Sequence, residues 1–478
     1  MRNLFKKEEW LGNIKGDILA GIVVAIALIP EAIGFSLVAG LDPMVGLYGS
    51  FILSIIIAFT GGRPGMITGA TGATALLVGT LVKTNGIEYL FAAGILAGIL
   101  QVTLGLLGVA KLLKFIPRAV MVGFINALGI MIFLAQLEHF SGANTLFYIL
   151  LVSALLILYI APRYIKQIPA PLIAIIFLSA LVIFMKLEVS NVGMMGEIKR
   201  QLPVFSIPSV PLSLETLSII FPTSLAIAIV GLLESLLTVT IVDDLTQTKS
   251  SKRHEAIGQG IAGITNGFFG GLSGCAMIGQ SIINVKNGGR TRLSSLTAGV
   301  VLITMIMSFG SLVSQIPMAV LVAIMITVSI GTIDWHSFEY MRRAPINETL
   351  VMLVTIVAVL FTHNLAIGVG LGVLLSALFF MVKNSTIHVS QSKETVTISG
   401  QLFFATVDEL LEKINKLDSN TVSIIDVSNL TVRDDAGVKA VLSLRDYLKG
   451  RSIEIIGFKD TDSKFVDSLE PYLRKSSH

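Results

Sequence analysis

Cysteine is almost missing from this chain, and charge is scarce. A single thiol, Cys275, can close no disulfide within the chain and build no thiolate metal cluster. Set in an apolar, glycine-rich stretch, it reads as a small buried filler. Charged residues make up only 14% of the 478 positions, where a soluble domain carries roughly a quarter. With 53% hydrophobic residues and a mean hydropathy of +0.82, the bilayer is the solvent for most of the chain. No grouping of His, Asp and Ser suggests catalysis: His139, His254, His336 and His363 fall near loop ends, which argues against an enzyme. The net charge of +4 does not point to nucleic acid, because the basic residues are scattered over short loops between apolar runs, the distribution of a topology signal. The first 16 residues are polar and no small-residue cleavage site follows, so no signal peptide is expected to be removed.

What is present is a succession of apolar runs long enough to cross a hydrocarbon core of about 30 Å, some of them shortened by Gly or Pro. They lie near 18–38, 44–60, 66–82, 88–110, 117–138, 145–161, 169–187, 217–241, 256–269, 275–285, 293–313, 317–332, 348–361 and 364–383, which predicts fourteen transmembrane segments in residues 1–383. With the N-terminus inside, the external loops hold only Lys83, Lys186, Lys199 and Arg200. Lys111, Lys114, Arg118, Arg163, Lys166, Lys249, Lys252, Arg253, Lys286, Arg290 and Arg292 all gather on the cytoplasmic side, which places both termini there. After a polar linker at 384–394 the composition becomes that of a water-soluble chain. Strand-like runs at 395–399, 422–427 and 453–456 alternate with helix-like runs at 407–417, 435–448 and 463–469, predicting a small α/β domain over 395–478.

The two halves of the membrane region share a spacing: Phe59, Gly61, Gly62 and Gly65 repeat as Phe268, Gly270, Gly271 and Gly274. Each group precedes a segment too rich in Gly and hydroxyls to face lipid, 66–74 and 275–281. Seven segments per half, an odd number, make the repeat inverted, and paired broken segments in inverted halves point to a transporter's binding site. Non-helical backbone is tolerated at membrane depth only where protein or a water-filled cavity satisfies it. Two half-helix N-termini facing such a cavity would attract an anion through free N–H groups. Thr71, Thr74 and Ser281 are candidate donors, with back-bonding to helix carbonyls the competing role for each. Two carboxylates, Glu31 and Glu234, sit inside apolar runs, where a charge at the bilayer centre costs about 2.5–3.5 kcal/mol on insertion scales; each needs a cavity, a partner or a proton. Thr238 shares the helical face of Glu234, and Pro30 is expected to break the first helix beside Glu31. Asp243 and Asp244 read as a solvated helix end.

These residues resemble the SulP (sulfate permease) family. The similarity is carried by Pro30-Glu31-Ala32-Ile33-Gly34-Phe35, Ala39-Gly40-Leu41-Asp42-Pro43, Gly46-Leu47-Tyr48, Glu234-Ser235-Leu236-Leu237-Thr238 and Asn266-Gly267-Phe268-Phe269-Gly270-Gly271. Its local wording is closest to the BicA-like bicarbonate branch. The tail is similar to a STAS domain at Gly400-Gln401-Leu402-Phe403-Phe404 and Asp426-Val427-Ser428. The resemblance implies a polytopic α-helical fold of fourteen segments in a seven-plus-seven inverted repeat, with core and gate domains that alternate access, in a plasma-membrane homodimer. It places a small inorganic anion, sulfate or bicarbonate, between helices three and ten. Here that means Thr71, Gly72 and Ala73 against Ala276, Met277, Ile278 and Gly279; Thr74, Ser281 and Glu31 join this substrate site from the reading of the residues above. The resemblance places the coupling carboxylate at Glu234, to which the helical spacing adds Thr238 as the second coupling-ion candidate, and no cofactor or resident metal is expected. Animal-type relatives carry Arg where this chain has Gln280, so a co-transported cation is expected to supply the countercharge. Glu234 and Ile278 stand where sodium-coupled relatives carry Asp and a hydroxyl, which favours H+ over Na+. Symport is the first expectation, an exchanger or channel of the same family the alternative. Asp435 stands near where related domains carry a phosphorylatable Ser, so a serine-kinase switch is not expected there.

Overall fold

The structure is a computed structural model describing residues 7–108, 116–165, 168–392, 394–415, 422–448 and 453–473. Lys111, Lys114, Lys166 and residue 393 of the linker lie outside these. The chain divides into two compact units, Met1–Val373 and Leu374–His478.

Each of the fourteen apolar runs falls on a helix. A short α1 (Lys7–Leu11) precedes α2 (Ile14–Val38) and α3 (Pro43–Thr60), the latter capped by Asp42, whose side chain accepts from the Met44 amide. The strand β1 (Thr68–Ala70) leads into α4 (Gly72–Asn85), followed by α5 (Ile87–Leu106), α6 (Arg118–Gln136), α7 (Thr145–Tyr164) and α8 (Ala170–Phe184). The second half opens with α9 (Leu214–Thr246) and α10 (Lys252–Phe268). Then β2 (Gly274–Ala276) leads into α11 (Ile278–Lys286), and α12 (Arg292–Val313), α13 (Met318–Thr332), α14 (His336–Arg343), α15 (Ile346–Thr362) and α16 (Leu365–Asn384) follow. Among the described residues nine helical stretches are long and apolar enough to cross a membrane, and α8 and α15 are shorter apolar helices. The remaining runs are α4, α10 and α11, which carry the Gly and polar residues of the site.

Packing sorts these helices into two groups. In one, α10 lies along α5 and α3, and α12 lies against α2 and α3. The α5–α10 approach depends on Gly98 and Gly260, since a Cβ on either would fall 2.6 Å from the other's carbonyl oxygen. In the other group α6 packs on α13 and α15, and α7 on α8 and α13 around Leu151, Ala154, Leu178, Val320 and Ala323.

Two expectations need correction. Helix α2 runs unbroken through Pro30; the missing N–H leaves the Ile26 carbonyl without its ladder donor, but the helical backbone continues. Asp243 is not simply solvated: it pairs with Arg63 at 3.2 Å, with the Arg63 side chain only 7% exposed.

The second unit contains a four-stranded sheet of β3 (Ile387–Ser392), β4 (Thr395–Leu402), β5 (Ile424–Val432) and β6 (Glu454–Ile456), in that order. The β3–β4 pair is antiparallel and the other two are parallel. Most of the segment read as a linker is therefore β3, its Ile387 buried in the core with Val396, Ile398, Val427 and Val438. Helices α17 (Val407–Asn415), α18 (Asp435–Leu448) and α19 (Asp460–Leu473) complete the unit. Asp434 caps α18 by accepting from the Gly437 amide (2.8 Å) and also accepts from the Phe404 amide (2.9 Å), a structural role at the place where a phosphorylatable Ser was considered.

Candidate functional site

The two broken spans meet. β1 and β2 pair antiparallel with Thr68 opposite Ala276, Gly69 opposite Cys275 and Ala70 opposite Gly274, and α4 and α11 depart from the two strands. A two-stranded ribbon among membrane helices has no water along its outer edges, so side chains must satisfy them. On the β1 side α3 supplies Ser54, which donates to the Thr68 carbonyl (2.8 Å), and Ser50 one turn earlier, which accepts from the Ala70 amide (3.1 Å). On the β2 side α9 supplies Ser235, which accepts from the Ala276 amide (3.1 Å), and Thr238, which donates to the Glu234 (2.8 Å) and Ala276 (3.3 Å) carbonyls. Gln259 donates to Thr68 Oγ1 (2.8 Å) and to the fully buried Glu255 (2.9 Å), which also takes the amides of Gly62 and Arg63.

The sequence repeat found the right place but the wrong register. Gly274 lies inside β2, whereas Gly65 lies three residues before β1, so the shared spacing is three residues out of step with the structural one.

The first ladder bonds of the half-helices are Ala75 N–H to Thr71 O and Ser281 N–H to Met277 O, each 3.0 Å. The amides of Gly72, Ala73 and Thr74, and of Ile278, Gly279 and Gln280, therefore lie outside the ladders, and neither helix has a side-chain cap. Gly72 is buried with Phe35 of α2 and Ile132 of α6 against it. Gly279 is exposed and a Cβ there would meet nothing within 4 Å.

The candidate hydroxyls divide. Thr74 donates its proton to the Ser273 carbonyl at 2.5 Å, and Ser281 bridges the Ile67 amide (3.0 Å) and carbonyl (3.4 Å). Both hold the ribbon together and neither presents a free donor; Thr74 also back-bonds to the Thr71 carbonyl (3.0 Å), whereas the described partners of Ser281 lie across the ribbon rather than on its own helix. Among the described residues the Thr71 hydroxyl has no carbonyl partner; it lies 3.1 Å from Thr74 Oγ1 and 3.3 Å from Cys275 Sγ. Glu31, half-buried, accepts from Gln280 Nε2 at 2.7 Å, and Glu234, 9% exposed, accepts from the Cys275 thiol at 2.9 Å. Cys275 is thus more than filler. Its contacts were hidden in the sequence, because the partner carboxylate is 41 residues away; the polarity of Ser50, Ser54, Ser235 and Gln259 inside apolar helices was the signal that could have exposed the ribbon's supports. Among the described residues no group of three His, Cys, Asp or Glu could hold a metal ion.

Two half-helices diverging from a shared ribbon, with a carboxylate tied to the second arm from each of two long helices, define a multi-pass membrane protein with a central polar site. Residues 14–148 and 145–355 match the Sulfate permease family, and the chain belongs to that family. It is 50% identical over 460 residues to the putative sulfate transporter YbaR of Bacillus subtilis (strain 168), covering 95% of this chain and 96% of that one. It is 25% identical over 524 residues to the bicarbonate transporter BicA of Synechocystis, covering 96% and 91%. The transmembrane domain of a cyanobacterium bicarbonate transporter BicA superposes with a TM-score of 0.68 at 25% identity, over 76% of this chain and 97% of that one. SLC26A9 superposes with a TM-score of 0.83 at 18% identity, over 99% and 88%, a likeness of fold alone. The relatives are named as transporters, and this chain is a transporter rather than an enzyme.

Proposed function

We propose that the chain carries a small inorganic anion, sulfate or bicarbonate, across the plasma membrane by alternating access, drawn by the amide ends of α4 and α11 and coupled to proton symport at Glu234. The observation that carries this is the pair of uncapped helix N-termini, with six amides outside the helical ladders and open space at Gly279. Sulfate is favoured by the 50% identity to YbaR, bicarbonate by the likeness to BicA. The amides of Gly72, Ala73, Ile278 and Gly279 with Thr71 form the anion's cradle, and Glu31 borders it through Gln280.

Protons are favoured over Na+ because the neighbour of the Glu234 carboxylate is a thiol, a soft group poorly matched to a hard alkali cation. In this reading fourteen segments form a seven-plus-seven inverted repeat. The α2–α5 and α9–α12 set is the core, and α6–α8 with α13 and α15 belong to the gate, supported by the two packing groups. Both termini are cytoplasmic, the protein is a homodimer, and residues 387–473 form a STAS-like domain, whose β-strand order and crossover helices suit that reading.

The test is uptake into proteoliposomes with a panel of anions at two pH values, under a proton gradient, a sodium gradient and neither. Glu234→Gln should abolish gradient-driven uptake while anion exchange stays measurable. Uptake that is indifferent to both gradients, or driven uptake retained in E234Q, would reject the coupling.

A further inference from the structure

Between the carboxylate of α9 and the N-terminus of α4 stands one side chain. Cys275 is fully buried, and its sulfur lies 2.9 Å from Glu234 Oε2 and 3.3 Å from Thr71 Oγ1. Thr71 is 3% exposed and stands at the N-cap position, without a side-chain cap bond, of the arm whose amides form half of the cradle. We propose that the Cys275 thiol is a positioning residue that transmits the protonation of Glu234 to the Thr71 hydroxyl by reversing two hydrogen bonds. This rests on the coupling role given to Glu234 above.

The argument follows from counting protons. An ionised carboxylate only accepts, so the thiol must donate to Glu234, and its sulfur is left as an acceptor for the Thr71 hydroxyl. Thr74 gives its own proton to the Ser273 carbonyl, so across the Thr71–Thr74 contact Thr71 is again the donor. With Glu234 ionised, both neighbours of Thr71 draw its proton inward. When Glu234 takes up a proton, its O–H can donate to the sulfur, and the S–H turns to Thr71 Oγ1. One of the two inward acceptors is lost and only the Thr74 oxygen, 3.1 Å away, still competes for the proton, so the Thr71 O–H turns more readily toward an anion at the α4 N-terminus. No bond other than hydrogen bonds changes, and the only proton gained is the one on Glu234. Proton binding thereby raises anion affinity, the sign that symport requires, and by linkage the anion raises proton affinity equally. The thiol suits this role because it both donates and accepts, and its burial keeps water from short-circuiting the link.

Besides Cys275 on β2, the titratable groups on the elements packed against α9 are Lys83 on α4, Glu88 and Tyr89 on α5, 252–255 on α10 and Lys286 on α11. None of these makes a hydrogen bond or ion pair with Glu234 among the described contacts. Cys275 is its described side-chain partner.

Because the chain holds one cysteine, its S–H stretching band in the infrared belongs to this thiol alone. In the full-length protein that band should shift across a pH series as Glu234 titrates, and the shift should vanish in Glu234→Gln. A wild-type band indifferent to pH overturns the proposal. A second readout is the pH dependence of sulfate affinity. With coupling of ordinary strength it spans about 5- to 150-fold, and it should flatten to under twofold in Cys275→Ala and return in Cys275→Ser, which keeps donor and acceptor. If Cys275→Ala keeps the wild-type profile while Glu234→Gln loses it, the link through sulfur is wrong and the coupling carboxylate stands. If Glu234→Gln keeps the profile, the coupling reading itself fails. Should Cys275→Ala not fold, the band of the unaltered protein still decides.

Discussion

The α4 arm and the α11 arm leave the same ribbon in the same way, yet they meet different surroundings. Where α4 begins, Gly72 is shut in by the ends of Phe35 and Ile132, each 2.9 Å from where a Cβ would stand. Where α11 begins, Gly279 faces open space. The N-cap of α4 is a hydroxyl residue, Thr71, wired through Cys275 to Glu234; the N-cap of α11 is Met277, and its link to a carboxylate comes from Gln280 inside the helix. A shared backbone motif thus supplies two positive helix ends, while their neighbours leave one arm closed in, beside the Thr71–Cys275–Glu234 contacts, and the other facing open space.

The comparison breaks most completely at the ribbon that both arms share. A Cβ on Gly274 would collide with the Gly69 carbonyl across the strand pair and meet Leu53 Cδ1 at 2.8 Å. Backbone cannot yield there as a side-chain end can, so Gly274→Ala should cost about 1–3 kcal/mol or more. The expected result is loss of the monodisperse peak on gel filtration in detergent together with loss of uptake; a folded, active variant would show that the strand pairing is dispensable. At the entrance the expectation is reversed. Gly279→Trp meets no neighbour near its Cβ and should keep the thermal midpoint, yet fill the space in front of the α11 amides and lower uptake more than about tenfold, or ~1.4 kcal/mol in transition-state terms. Gly72→Ala should fall between: Phe35 and Ile132 must shift by a few tenths of an ångström, so the protein folds and uptake drops a few-fold. If Gly279→Trp and Gly72→Ala behave alike, the closed and open descriptions are wrong.

How much of this was legible follows from the range of the signals. Gly and Thr crowded into 68–74 can be read locally, because lipid forbids exposed irregular backbone, and so the broken spans and their meeting were predictable. Glu31 and Glu234 stood out for the same reason, as charges in apolar runs. The partner of each polar group was not legible. Thr74 and Ser281 could be read as anion donors or as back-bonded to their own helices, and the sequence could not show that their partners, the Ser273 carbonyl and the Ile67 backbone, lie more than 190 residues distant. Pro30 was overread, since losing one ladder bond does not oblige a long helix to bend. The polar 384–394 stretch hid β3 because an edge strand half in solvent alternates too weakly to look like a strand.

The smallest expected effect tests whether the ribbon is held rigid by its hydroxyl supports or only by the strand pairing. Ser54 donates to the Thr68 carbonyl on the outer edge of β1, and both are fully buried. Ser54→Ala removes the donor and leaves the carbonyl without it, a loss of about 1–3 kcal/mol for a buried acceptor. It touches neither the α4 amides nor Glu234. The thermal midpoint in detergent should therefore fall by several degrees, while the anion selectivity of the surviving protein stays the same. The matching change at the other strand, Ser235→Ala on α9 one residue from Glu234, strips the acceptor from the Ala276 amide, and should lower stability by a similar amount and weaken gradient coupling as well. If both variants lose stability alone, the helix that carries Glu234 tolerates movement against β2, and the proton link to the α4 arm does not depend on that close seating.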